Sequence, residues 1–478
     1  MAEHAVFIRA AAHVLDAEAP RTDVDILIRG NRIAEIGPRL PPPPGAKVIE
    51  GRGKLVAPGL VNAHWHSAMQ TSPGTADRLD HKRFMWLNQA DTANRSGEEI
   101  EIAAALGVIQ MLRSGTTAVM DHFPEQRFEV ADVAAAVNAF EKSGMRAVVA
   151  LRIYDGEYTD IMPDAAQATP ELTRAIAENN PLVPRPLAES IAIAEDSIRR
   201  FDGGAGGRVR VFPAPSNPLR CSDAFLVACH ELAVRTNTGV HCHMLETKTQ
   251  ADVAAKRYGR TMIAQLDALG AFDGRWSCAH CNWVTADDMA IMARTGAIAV
   301  FNPESNLKIG SGIPPIPALL AAGVRCAVGT DGASTNDNLI LQDAMQLVAI
   351  LHRAGERDRS RWVTVEDAVH MATVGGAAAI LEPELGRVAV GQKADLVLYD
   401  LDQSWWVPLN DVAQQFVFGE RGGSVRHVLV DGKVVIEDGR LTTIDEAAVI
   451  AAAKDLLKTT RVRNTRIQAI ADAFARAD

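Results

Sequence analysis

The sequence predicts an α/β fold, namely a (β/α)8 TIM barrel joined to a small β-sandwich domain that both termini build together. Eight apolar, strand-like runs alternate with helical patterns in the middle of the chain, as parallel strands with helical crossovers require. Short strand-like segments lie at both ends. Polar side chains, above all histidines, recur where the central runs end, which is the end of the barrel where this fold places its chemistry.

Size and composition predict a globular protein with a sizeable core. The chain has 478 residues, of which 47% are hydrophobic and 23% charged. A formal charge of −10 argues against a nucleic-acid partner, and no apolar run is long enough to cross a membrane. The first residues lack the pattern of a secretion signal, and six scattered cysteines suit a reducing compartment. We therefore expect a cytoplasmic protein that acts on a small molecule.

The two ends of the chain are predicted to share one β domain. Residues 1–57 contain the hairpin pattern Asp25–Ile36 with a Gly30-Asn31 turn, and residues 387–444 contain a second one around Asp431-Gly432. We expect these two segments to form the sandwich and residues 445–478 to form a helix outside the barrel.

The middle of the chain, residues 58–386, is predicted to form the barrel. Its eight expected strands are Leu60–His66, Thr116–His122, Arg146–Asp155, Val209–Asn217, Gly239–Leu245, Ser277–Val284, Ala297–Asn302 and Cys326–Asp331. Amphipathic stretches between them predict helices at Glu98–Arg113, Ala131–Ser143, Ser222–Thr236 and Ala286–Arg294.

Histidines at the strand ends predict a metal site. Successive side chains of a strand face opposite ways, so His64 and His66 point together while Trp65 packs behind them. The fifth strand offers His241 and His243, and the eighth ends in Asp331. Three imidazoles and a carboxylate can hold Zn²⁺ and leave one position for water.

The choice between the two histidines of the fifth strand rests on their depth. His243 is nearer the carboxyl end and is the predicted ligand, whereas His241 is expected to be hydrogen-bonded in the core. Glu246, just past the strand, suits a proton shuttle, and His280 can polarise the electrophile or hold the attacking hydroxide. Asp331 can bind the metal and also take a proton from water.

The chain resembles the amidohydrolase superfamily, within it the branch of aromatic-amine deaminases and chlorohydrolases that includes guanine deaminase, S-adenosylhomocysteine deaminase and s-triazine hydrolases. The resemblance is carried by PGLVNAHWHSAM, SGTTAVMD, HCHMLET, NPESNLKIGSGIPP, VGTDGASTNDN and GQKADLV, and it covers about residues 25–435. It implies metal ligands His64, His66, His243 and Asp331, with catalytic roles for Glu246, His280 and Asp331. Barrels of this group often form homo-oligomers.

One divalent metal ion is expected, zinc in the first place, with iron also compatible. Two-metal relatives commonly bridge their ions with a carboxylated lysine after the fourth strand, and here no lysine occurs between Lys142 and Lys248. Met69, Trp86, His122, Ser216 and Asn302 are candidate substrate-binding residues. The seven remaining histidines, His81 among them, are expected to be ordinary surface or helix residues.

The resemblance implies hydrolytic deamination, in which hydroxide generated at the metal attacks a ring carbon and ammonia leaves. The usual sugar contacts of the nucleoside-processing relatives are not evident in residues 68–73, 91–96 and 215–218. A free purine, pterin, pyrimidine or triazine is therefore expected before an adenosine-type nucleoside. The alternatives are an s-triazine chlorohydrolase or N-alkylamine hydrolase, an adenosine-type deaminase, a ring-opening amidase and a catalytically inactive scaffold.

Overall fold

The computed structural model describes residues 5–16, 20–123, 129–156, 174 and 184–475. Its strands, in chain order, are β1 (Ala5–Val14), β2 (Arg21–Arg29), β3 (Arg32–Gly37), β4 (Lys47–Glu50), β5 (Lys54–Pro58), β6 (Leu60–Trp65), β7 (Thr116–Phe123), β8 (Arg146–Ile153), β9 (Val209–Pro215), β10 (Val240–Met244), β11 (Trp276–His280), β12 (Ile298–Phe301), β13 (Arg325–Val328), β14 (Leu396–Asp400), β15 (Val425–Val430), β16 (Lys433–Glu437) and β17 (Arg440–Leu441). The predicted combination of a barrel and a β domain made from both termini is confirmed.

The described helices lie between these strands and after them. The longer ones are His81–Asp91, Gly97–Ser114, Val130–Ser143, Leu187–Phe201, Asp223–Thr236, Lys248–Tyr258, Met262–Ala268, Ala286–Thr295, Pro303–Lys308, Ile316–Ala321, Leu341–Ile350, Val365–His370, Val412–Phe418 and Glu446–Ala475. Shorter helical turns occupy Ser67–Thr71, Gly204–Gly207, Pro218–Arg220, Ala333–Asn336, Arg359–Arg361, Met371–Gly375 and Gly376–Ala379. None of the helices in the described part of the chain is long and apolar enough to cross a membrane.

The terminal strands form one nine-stranded sheet. Strand β5 pairs in parallel with β1 and antiparallel with β14, so the amino-terminal and carboxy-terminal segments are hydrogen-bonded to each other directly. Both predicted hairpins are present, and Gly30, Asp431 and Gly432 have positive φ. Such φ values fit the two-residue turns whose twist matches that of the flanking strands. Apolar side chains from the strands of this sheet pack into a separate core cluster that includes Ile8, Ile26, Val56, Leu398 and Leu429.

The eight barrel strands run parallel in two sheets, β6–β9 and β10–β13. The chain after β13 closes on β6, because Asp331 N–H donates to His64 O at 3.0 Å and Thr330 N–H donates to Asn62 Oδ1 at 3.0 Å. Gly329 lies in this closing edge, where an added Cβ would lie 2.7 Å from both His64 N and Asn302 Oδ1. The barrel can close only because this residue has no side chain.

The predicted strands are correct in position, but all except the second, which ends one residue early, run too far at their carboxyl ends. The fifth, sixth and eighth were expected to reach Leu245, Val284 and Asp331, whereas β10, β11 and β13 end at Met244, His280 and Val328. Left-handed backbone follows directly after β10 at Leu245 (φ 51°) and after β11 at Cys281 (φ 51°), and it occurs at Asp331 (φ 59°), three residues after β13. Hydrophobic pattern alone does not reveal such turns.

The carboxy-terminal helix Glu446–Ala475 packs against the helices His81–Asp91 and Gly97–Ser114. Arg463 Nη2 contacts Glu99 Oε1 at 2.7 Å, and Asn464 Nδ2 donates to Ala93 O at 2.9 Å. The six cysteines are all buried free thiols.

Candidate metal centre and active site

Two imidazoles face each other at the carboxyl end of the barrel. His66 Nδ1 lies 2.8 Å from His122 O, and His243 Nδ1 lies 2.6 Å from Ser216 O. A carbonyl oxygen can only accept, so both Nδ1 atoms carry the proton and both Nε2 atoms of the neutral rings present lone pairs. These Nε2 atoms are 3.2 Å apart. Two lone pairs at this distance repel each other unless a cation lies between them.

A third imidazole joins them from a hydrogen-bonded chain. His64 Nδ1 lies 2.8 Å from His241 Nε2, and His241 Nδ1 lies 2.7 Å from Ser277 Oγ. His64 Nε2 is buried without a hydrogen-bond partner and faces the same space. His241 thus lies behind His64, one layer deeper than His243, and it orients a ring rather than reaching the centre.

Asp331 supplies the carboxylate of the cluster. Its Oδ1 lies 3.3 Å from His66 Nε2 and 3.5 Å from His64 Nε2, while its Oδ2 accepts from Ser305 Oγ at 2.6 Å. Gly332 N–H also donates to Oδ1, at 2.8 Å. Burial alone would raise the pKa of Asp331, but the adjacent rings of His64 and His66 hold it well below its usual range.

The four donors fit a divalent cation. Nitrogen and oxygen ligands placed about 2.0–2.1 Å from a tetrahedral zinc ion lie about 3.3 Å from one another. Three of the six separations within this set are 3.2, 3.3 and 3.5 Å, which is close to that value. One cation bound among them would satisfy the unpartnered Nε2 of His64 together with the opposed lone pairs of His66 and His243. The described residues therefore form a candidate His/Asp metal site.

Burial keeps His64, His241 and His243 neutral, which is the state of the imidazole that binds a metal. Burial lowers the pKa of His64 and His241 well below the usual range. Burial and the neighbouring His66 and His280 lower the pKa of His243 to about 3.

Glu246 and His280 lie beside the metal donors and are joined by an amide chain. Asn282 Nδ2 donates to Glu246 O at 2.8 Å, and Asn306 Nδ2 donates to Asn282 Oδ1 at 2.9 Å. Asn306 Oδ1 then accepts from His280 Nδ1 at 2.8 Å. This direction of bonding leaves the His280 Nε2 lone pair facing the site, 3.9 Å from Glu246 Oε2.

His81 contacts the same carboxylate and was missed by the sequence analysis. Its Nε2 lies 3.0 Å from Glu246 Oε2, and Ser311 Oγ donates to Oε1 at 3.3 Å. Burial alone would raise the pKa of Glu246, but the neighbouring imidazoles of His280 and His81 lower it to about 2. The expectation that His81 is an ordinary helix residue is wrong, because the turn after β6 brings the start of its helix over the barrel.

Several residues of the site adopt left-handed backbone conformations that β-strands do not use. Leu245, His280 and Asp331 have φ of 51°, 76° and 59°. Non-glycine residues adopt this region at an energetic cost, and such residues cluster at functional sites. Here the turns direct Glu246, His280 and Asp331 towards one centre.

The predicted substrate-binding residues divide into two groups. Met69 and Ser216 line a cavity together with His66, His243 and Glu246. Trp86, His122 and Asn302 are not among the residues that line it within the described part of the chain.

The positions of those three residues have physical reasons. Trp86 follows the cavity-lining Met85 on the same helix, so it is turned by about 100° into the barrel's outer core. His122 lies beneath the cluster, with its ring centroid 4.4 Å from that of His243. The Asn302 amide lies 3.4 Å from His280 Nδ1 and contacts that ring instead.

The sequence analysis missed two buried arginines that line the cavity, Arg152 and Arg220. The guanidinium of Arg220 lies 3.7 Å from the ring centroid of Tyr154, a cation–π contact. Arginines are common on protein surfaces, so their residue type alone gave no signal.

Comparison with known proteins supports the family expected from the motifs. Residues 55–435 match the model of the amidohydrolase family. The chain is 32% identical over 426 residues to a 5-methylthioadenosine/S-adenosylhomocysteine deaminase of Caldanaerobacter subterraneus subsp. tengcongensis, covering 88% of this chain and 90% of that protein. It is 31% identical over 453 residues to a 5'-deoxyadenosine deaminase of Methanosarcina mazei, with 93% and 95% covered.

Solved structures support the same assignment. An adenosine deaminase from Xanthomonas campestris with bound zinc has a TM-score of 0.82 at 27% identity, covering 96% of this chain and 98% of that one. A triazine hydrolase from Arthrobacter aurescens has a TM-score of 0.85 at 22% identity, covering 95% and 100%, and this likeness concerns the fold alone. The expected hydrolase of this branch is confirmed, and the chain belongs to the amidohydrolase family.

Proposed function

We propose that this protein is a hydrolytic deaminase of an amino-substituted N-heterocycle that works with one divalent metal ion, zinc in the first place. His64, His66, His243 and Asp331 are the proposed ligands. The observation that carries the proposal is the pair of Nε2 lone pairs of His66 and His243, 3.2 Å apart, with Asp331 Oδ1 3.3 Å from the first of them. The names of the relatives, which are deaminases of adenosine derivatives, support the reaction type.

A divalent cation supplies Lewis-acid activation of water near neutral pH. In the proposed reaction, a ring C–NH2 group and water give a ring carbonyl and ammonia. Glu246, ionised at rest, takes up a proton from water and delivers it to a ring nitrogen. Asp331 carries the second water proton towards the leaving amine. His280 Nε2 presents its lone pair to the site, so it can accept a hydrogen bond from the attacking water and orient it.

The absence of lysine between Lys142 and Lys248 supports one ion rather than two. A metal content near two per chain would instead favour the ring-opening amidases, which bridge two ions. Metal analysis of the purified protein by plasma mass spectrometry decides this point. We expect one equivalent of metal per chain.

The substrate class is an aminated heterocycle, either free or carried on a sugar. The relatives favour adenosine derivatives, whereas the missing sugar-contact motifs favour a free base or triazine. An ammonia-release screen should include methylthioadenosine, 5'-deoxyadenosine, adenine, guanine, pterins, cytosine and aminotriazines. Chloride and alkylamine release from substituted triazines should be measured in parallel, since those products would favour the triazine hydrolase alternative.

Glu246→Gln separates catalysis from metal binding. The variant should keep its metal and lose ammonia release by at least about 100-fold, the contribution of a positioned acid–base group. Unchanged turnover in Glu246→Gln would remove Glu246 from the mechanism. No ammonia release by the metal-loaded wild type from any class of amine would refute the proposed function.

A further inference from the structure

His81 contacts the proposed proton shuttle, Glu246, and has no role in the reaction as proposed above. His81 begins the helix His81–Asp91, which Asp80 caps by accepting from Arg83 N–H at 3.0 Å. The cap fixes the first turn of the helix and with it the position of His81. The side chain of His81 is 18% exposed to solvent, compared with 7% for Glu246 and 1% for His280. His81 is therefore the outermost of the three groups.

The backbone of Glu246 is held from two sides, which leaves its side chain as the adjustable part. Its N–H donates to Gln250 Oε1 at 2.6 Å, and its carbonyl accepts from Asn282 Nδ2 at 2.8 Å. On the carboxylate, Ser311 reaches Oε1 at 3.3 Å and His81 reaches Oε2 at 3.0 Å. The shorter contact belongs to the oxygen that also faces His280.

We propose that His81 is a positioning residue of the reaction, whose Nε2–H holds Glu246 Oε2 beside His280 and links this carboxylate to the open side of the cavity. The inference deepens the proposed function and rests on it. A carboxylate fixed by a donor on each oxygen is confined to one rotamer, which shortens the search for the ring nitrogen. His81 also gives Glu246 a path for proton exchange with solvent between turnovers, past the sealed ring of His280.

Several charged groups act on His81, and their balance supports a donated hydrogen bond. Burial alone would lower the pKa of His81, but Glu246 and, more weakly, Asp331 and Asp80 raise it. Because an ionised carboxylate can only accept, the Nε2 atom that lies 3.0 Å from Glu246 Oε2 is the donor.

The test compares His81→Leu, which removes the donor, with His81→Gln, which keeps an N–H donor. His13→Leu in strand β1 of the terminal sheet is the matched histidine control. Loss of a group that orients another active-site residue typically costs 10–100-fold. We expect kcat of His81→Leu to fall by about that factor, KM to change less than about threefold, and zinc content to stay constant. His81→Gln should recover most of the loss, and His13→Leu should match the wild type.

A double variant separates positioning from a merely structural effect. In a Glu246→Gln background, His81→Leu should cause no further loss of kcat, because the group that it orients no longer carries a proton. A loss of equal size in both backgrounds, an unchanged kcat in the single variant, or a loss of zinc would each overturn the inference.

A readout without turnover distinguishes failure of the inference from failure of the proposed function. The readout is the NMR titration of the His81 ring in zinc-loaded protein with isotope-labelled histidine. This titration should move to lower pH in Glu246→Gln, because the variant lacks the carboxylate that raises the pKa of His81. An unmoved titration would refute the contact even if the enzyme were active on the amines tested. A moved titration together with an inactive wild type would retain the contact and reject the proposed reaction.

Discussion

Glu304 is expected to make the folded protein less stable as the pH rises. It lies in the helix Pro303–Lys308, and neither carboxylate oxygen has a hydrogen-bond partner, although both are buried. Burial, with a smaller contribution from Asp343, raises its pKa from 4.5 to about 8 against the opposing charge of Arg421. The folded state therefore binds this proton more tightly than the unfolded state does. The protonated Glu304 carboxyl group therefore contributes folding stability that is fully present below pH 4.5 and is lost as the pH rises from about 4.5 to 8.

The size of the effect follows from the shift. A change from 4.5 to about 8 corresponds to about 5 kcal/mol of folding free energy above pH 8. With an unfolding entropy of about 2 cal/mol/K per residue, a chain of this length changes its Tm by about 1 °C for each kcal/mol. We expect Glu304→Gln to match the wild-type Tm within about 1 °C at pH 5 and to exceed it by up to about 5 °C at pH 9.

Differential scanning fluorimetry across pH 5–9 measures this difference. Glu231→Gln, which removes an exposed carboxylate in the middle of the helix Asp223–Thr236, is the matched control and should show no pH-dependent offset. The same Tm offset for Glu304→Gln at both ends of the pH range would refute the reasoning. A variant less stable at pH 9 than at pH 5, relative to the wild type, would reverse its sign.

Three further predictions concern the metal centre. His243→Ala should lower zinc occupancy in metal analysis more than His241→Ala does; the opposite order would exchange the proposed roles of the two residues. Ser305→Ala removes the 2.6 Å hydrogen bond to Asp331, and zinc affinity in a chelator competition should fall about 10–100-fold, so an unchanged affinity would contradict the geometry. Removing the metal should lower Tm because only the folded state assembles the ligands, and one equivalent of zinc should restore it; a Tm insensitive to chelation would count against the site.

The sequence was sufficient for those parts of the site that lie on regular strands. Alternation along β6 placed His64 and His66 on one side and Trp65 on the other, and Trp65 is fully buried as expected. Depth along β10 placed His241 behind the centre, where it bonds to His64. Both inferences needed only the period of a strand and the rule that barrel chemistry lies at the carboxyl ends.

The parts that could not be predicted depend on irregular backbone. His81 reaches Glu246 through a turn whose path no hydrophobic periodicity specifies. The two residues are also 165 positions apart in the sequence, so no local pattern links them. Trp86 is an attractive pocket residue by type, but its neighbour Met85 has the cavity-facing position on that helix. The tautomers at the centre also became known only when the carbonyl partners of His66 and His243 were located.

The closing edge of the barrel has a consequence for biosynthesis. Asn62 and Thr330, which are 268 residues apart, bond to each other directly beside two ligand residues. A growing chain therefore lacks the proposed carboxylate ligand Asp331, and cannot assemble the four-ligand site, until its eighth barrel strand has docked on the first. Full coordination of the metal would then follow closure of the barrel, so that a chain holding its ion in this site would have a closed barrel.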